Sequence, residues 1–105
     1  MLKEEIELPF DEFCKKYVKE AMYDYCISFK FRGVIYQFDY PEPPGPTNIP
    51  NKTPYDFIVY EGDWKKEISR ISFKNLKEAI DNVRIDGLTF EEVYNHEESE
   101  LIDLS

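Results

Sequence analysis

The sequence predicts an α+β fold: an N-terminal helix, a four-stranded antiparallel sheet made of two hairpins, and two short C-terminal helices. Three observations carry this. Apolar residues recur at three and four as far as Met22, then at two from Tyr25 onward. Two glycine-containing turns, Arg32-Gly33 and Glu61-Gly62-Asp63, each separate a pair of strand-like runs. Capping signals then reopen helical spacing between Ser72 and Glu92. At 105 residues the chain is one domain, 1–105, ending in an acidic segment at 86–105. A chain of this length buries roughly 65% of its unfolded surface, enough for a core without staples.

The first helix is expected over 9–23. Pro9 suits a first turn, and Asp11 and Glu12 suit its positive dipole end. Phe10, Phe13, Cys14, Tyr17, Val18, Ala21 and Met22 form one apolar stripe, with Lys15, Lys16, Lys19 and Glu20 off it. The first hairpin follows. Tyr25, Ile27, Phe29 and Phe31 alternate with Cys26, Ser28, Lys30 and Arg32, then Val34, Tyr36, Phe38 and Tyr40 alternate with Ile35, Gln37 and Asp39, with Gly33 supplying the positive φ of a primed turn. Residues 41–54 hold six of the seven prolines and are expected to be a stiff, extended loop. The second hairpin spans 55–61 and 66–72. Its first strand is apolar on both faces and should be central; its second alternates weakly and should be an edge.

Ser72 is the expected cap of a helix carrying Leu76, Ala79, Ile80 and Val83, with Ile71 and Leu76 at staple positions. Thr89-Phe90-Glu91-Glu92 is a capping box, stapled by Leu88 and Val93. The final residues, NHEESELIDLS, read as a frayed or loosely docked tail.

Charge is placed unevenly. Residues 86–105 carry seven acids and no Lys or Arg, most of the formal net charge of −9, whereas 1–84 have 15 acids and 13 bases. Such an excess argues against direct nucleic-acid binding, which needs clustered cations on phosphates. The longest apolar runs, such as Phe57–Tyr60, are far short of the roughly 20 residues of a membrane span. No secretory leader is read in MLKEEIELPF, so a cytoplasmic setting is expected, with Cys14 and Cys26 as free thiols. Lys outnumbers Arg ten to three and Ile outnumbers Ala ten to two, a bias toward AT-rich codons that points to a low-GC bacterium or one of its mobile elements.

No constellation fixes a chemistry. His96 is the sole histidine, and there is no phosphate-cradling glycine motif. Placing Gly87 at the invariant glycine of a calcium loop puts Arg84 and Val93 where oxygens are needed. No catalytic, cofactor or metal residue is assigned, and the chain is read as a non-enzyme. In size, acidity and lack of catalytic residues it resembles the small inhibitors that phages and mobile elements encode against host defence nucleases, including anti-CRISPR proteins and DNA mimics. The resemblance implies a partner that is a larger basic protein, such as a nuclease. The candidate docking residues are Asp86, Glu91, Glu92, Tyr94, Glu97 and Glu98 of the acidic segment, with Tyr36, Tyr40, Tyr60 and Trp64 of the sheet. The other readings are an accessory or structural subunit of a phage or bacterial complex, and a small metabolite-binding module. The aromatic surplus also predicts either a homodimer or one contiguous exposed patch on the sheet.

Overall fold

The computed structural model of the chain describes residues 1–21, 24–40, 53–62 and 66–105. Strands form where the period-two runs predict them. β1 (Ile27–Phe31) and β2 (Val34–Asp39) are joined by Arg32-Gly33. Both turn residues have positive φ, 51° and 82°, as a primed turn requires. β3 (Tyr55–Glu61) lies between β2 and β4 (Lys66–Phe73), so the doubly apolar strand is central and the weakly alternating one is an edge. Of the expected proline loop, 41–52 lie outside the described residues, as does Trp64.

The sheet has five strands rather than four. β5 (Ser99–Leu104) pairs antiparallel with β1, and Cys26 and Ser105 extend the pair through mutual backbone bonds of 2.7 and 3.0 Å. The expected frayed tail is therefore corrected. The outer side of β1 presents backbone donors and acceptors that need partners, and the terminal segment supplies them. The order is β4-β3-β2-β1-β5, with every neighbouring pair antiparallel.

The helices are shorter than predicted, and one lies where none was expected. α1 (Leu2–Ile6) precedes Pro9 and ends at Glu7, whose φ is 63°. α2 (Phe10–Cys14) continues as a π-helical turn, Lys15–Lys19, and stops short of 23. α3 (Leu76–Asn82) is capped by Asn75, whose side chain accepts the Glu78 N–H at 2.8 Å. Ser72 is not the cap: it belongs to β4 and donates to Asp56 Oδ1 at 2.6 Å. Ile71 consequently stays exposed instead of stapling to Leu76. α4 (Phe90–Tyr94) carries the predicted capping box between Thr89 and Glu92.

All four helices and the π turn give buried residues to one cluster on one face of the sheet. Phe90, the first residue of α4, is its hub. Its ring centroid lies 5.4 Å from that of Phe29 and 5.1 Å from that of Phe38, and 6.0 and 6.2 Å from those of Phe10 and Phe13. The tilted and edge-on geometries are those that aromatic quadrupoles favour. Ile35 and Ile58 are buried on the opposite face, outside this cluster.

Candidate protein-docking surface

Two primed turns meet at one end of the sheet. Ile85 and Leu88 exchange backbone bonds of 2.8 and 2.9 Å around Asp86-Gly87, whose φ values are 53° and 81°. Asp-Gly is the dipeptide that such a turn favours, a signal that went unread in the sequence. Arg32, first residue of the β1–β2 turn, bonds Asp86, first residue of this one, at 2.5 Å. Its Nε also donates to Glu98 at 3.3 Å, and its guanidinium lies over the Phe31 ring. These carboxylates push the guanidinium pKa upward. Asp86 and Glu98 thus already have a cationic partner within the chain.

The fold joins acidic segments from the two ends of the sequence. α1 packs on β5 and α4. The Leu2 N–H donates to Ser99 Oγ at 3.1 Å, and the Leu101 N–H donates to a Glu5 carboxylate oxygen at 2.6 Å. Residues 1–14 contain five acids and one Lys; 86–105 contain seven acids and no base; everything between carries a net +2. The acidic surface is therefore larger than the C-terminal segment and comprises α1, α4, the turn before β5, and β5 itself. Glu4, Glu91, Glu97 and Glu100 are exposed on it and make no side-chain hydrogen bond among the described residues. Glu92 is exposed too, but its carboxylate accepts the Thr89 N–H and hydroxyl, which lowers its pKa.

The aromatic anchors are not where the sequence reading put them. Tyr94 has no exposed surface: its ring sits 5.1 Å from Phe13 and its hydroxyl donates to the Leu8 carbonyl at 2.7 Å. Burial pushes its pKa up to about 12. Tyr36 is also buried, stacked between Phe29 and Phe57. Tyr40 and Tyr60 are half-buried; Tyr40 stands edge-on to buried Tyr55, and the Tyr60 hydroxyl donates to Gln37 at 3.2 Å. These tyrosines do not form a contiguous exposed patch. Among the described residues, the large apolar side chains that are exposed are Ile68, Ile71 and Ile102.

Burial raises the thiol pKa of Cys14 to about 11 and that of Cys26 to about 12, and Cys26 donates to Asp39 at 2.8 Å. Neither is a thiolate at neutral pH, so neither is primed as a nucleophile. Among the described residues no three metal-ligating side chains come together, and no helix is long and apolar enough to cross a membrane. A groove between α2 and α3, lined by Phe10, Cys14, Lys19, Lys77 and Asp81, holds about 230 Å³. That is under the roughly 300 Å³ lower bound of small-molecule sites, and Lys77 is already tied to Asp81 at 2.6 Å. No known protein family, curated protein or solved structure matches the chain.

Proposed function

We propose that the chain is a small non-enzymatic binding protein whose acidic end engages a basic surface on a larger protein. The observation that carries this is the docking of α1 on β5 and α4, which sets the acids of α1 beside those of 86–105 in one acidic surface on ordered backbone. Segregated charge makes a directional field, which steers a complementary partner. Carboxylates fixed on helices and a strand fit a surface built for phosphates, so a nucleic-acid-handling protein is the fitting partner class. A host defence nuclease inhibited by a phage or mobile-element product is one such case.

The test is capture from a low-GC bacterial lysate, followed by on-rate measurement with the captured partner. The Glu4, Glu91 and Glu97→Lys variant removes exposed carboxylates that make no side-chain hydrogen bond or ion pair among the described residues; Glu100 is kept because it stands opposite Lys30 across the β1–β5 ladder. The variant should associate roughly ten- to a thousand-fold more slowly at low salt, and the wild-type on-rate should fall as salt rises. The partner's binding to duplex DNA should be competed by the wild-type chain. Equal on-rates for variant and wild type across salt concentrations would sink the reading.

A further inference from the structure

The two edges of the sheet are treated differently. The outer edge of β5 is covered by α1, with Glu5 accepting the Leu101 N–H. The outer edge of β4 has no strand partner among the described residues. Ile68 and Ile71, 53% and 52% exposed, both lie on it. An open edge presents a row of unpaired backbone donors and acceptors, a template for another strand. A bulge between Tyr60 and Val59 disturbs the start of β4, but Ser69 through Phe73 pair with β3 in unbroken register. Arg70, the sole charged residue there, is held by Asp56 at 2.6 Å and Glu67 at 2.7 Å.

We infer that this edge is the homodimer interface, with β4 pairing antiparallel to β4 of a second copy about a two-fold axis through Ile71. Overlap and charge together select this: only a centre at Ile71 pairs the whole unbroken stretch Ser69–Phe73 with itself. A two-fold normal to the sheet keeps side chains on the same face, so only residues of like parity stand opposite each other. Centring on Arg70 opposes two guanidinium groups. Centring on Ser72 opposes Arg70 and Lys74. Centring on Ile71 sets no like charges directly opposite: Ile71 meets Ile71, Ser69 meets Phe73 with small against large, and Arg70 meets Ser72, the two diagonal Arg70 side chains being held by their own Asp56 and Glu67. Electrostatics permit it as well. Lys66, Arg70 and Lys74 against Glu67 leave this edge a small like-sign excess in both copies, which Asp56, bonded to Arg70, partly offsets. The edge lies four strand spacings from β5, ~19 Å, well past the ~8 Å screening length at physiological salt. Two molecules with a net charge of −9 each can therefore meet here with their acidic ends apart.

Sedimentation equilibrium from micromolar to millimolar concentration tests this. The mass should rise from 12.6 kDa toward twice that value. Ile71→Lys opposes two ammonium groups on the axis and should abolish the rise; Ile102→Lys, on the opposite edge, should not. Circular dichroism of both variants checks that the exposed substitutions leave the monomer folded. Register is read by cross-linking under oxidation. Ile71→Cys places its Cβ atoms ~5 Å apart and should form a covalent dimer. Ser69→Cys leaves them ~13 Å apart along the strands and should match the wild-type background. A chain that stays monomeric throughout overturns the proposal and leaves the edge to a strand of a different protein. Undiminished dimerisation of Ile71→Lys, or preferential cross-linking of Ser69→Cys, overturns it too. The acidic surface is untouched by these variants, so this outcome is independent of the partner-binding test.

Discussion

Tyr94 shows how one side chain can carry both packing and a hydrogen bond. Its ring fills the space beside Phe10 and Phe13, and its hydroxyl satisfies the Leu8 carbonyl in the link from α1 to α2. Tyr94→Phe keeps the ring and removes one bond. It should cost about 1 kcal/mol, lowering Tm by about 4–8 °C. Tyr94→Ala should cost about 3–5 kcal/mol through the cavity left behind. Urea unfolding measures both; unchanged stability in Tyr94→Ala would return the ring to the surface as an anchor. The sequence held the signal for burial. Phe90, Val93 and Tyr94 are spaced at three and four, the stripe of a core-facing helix. Flanking glutamates made Tyr94 resemble an interface residue instead. Arg32 was legible as a turn residue. Its partners were not, because Asp86 and Glu98 are distant in sequence and nothing local encodes their approach.

At the scale of elements, β5 was the strand hidden from sequence reading, and its register explains why. Phe29 pairs with Leu101 while Ile27 pairs with Leu104, so a bulge opposite Ser28/Phe29 inserts an extra residue into β5. Leu101 and Leu104 both join the core while standing three apart, which erases the alternation that marks a strand. The bulge in β4 blurs Ile68 and Ile71 in the same way. The first hairpin and the capping box lack such irregularity and were readable directly. β5 is also the platform for α1. Buried Ser99 accepts the Leu2 N–H and donates to the His96 carbonyl at 2.7 Å. Ser99→Ala should cost about 1–3 kcal/mol, because it leaves a buried amide without an acceptor. Hydrogen exchange should show the loss first at α1. Full protection of α1 in this variant would mean that the serine does not hold the helix.

For the whole molecule, charge is the property that sequence order conceals. The acids of α1 and those of 86–105 look separate along the chain, and only tertiary placement sums them. Concentrated like charge opposes folding as well as steering partners. Sodium chloride should therefore raise Tm between low salt and a few tenths molar. Relief of about 1 kcal/mol of repulsion corresponds to about 4–8 °C. A Tm that falls on adding salt would show that attractive pairs such as Arg70–Asp56 outweigh the repulsion.

The bond between Leu2 and Ser99 spans 97 positions of sequence, and the Tyr94–Leu8 bond spans 86. Closing such long loops delays folding, because chain entropy is lost before the contacts repay it. During synthesis α1 is made before all five strands of the sheet, yet the strand it docks on is made after the other four. Until then β1 presents an unpaired outer edge, and Leu2 has no groove to enter. Four strands without β5 would leave the outer edge of β1 open as well as that of β4, so mispairing between copies would compete with completion of the sheet.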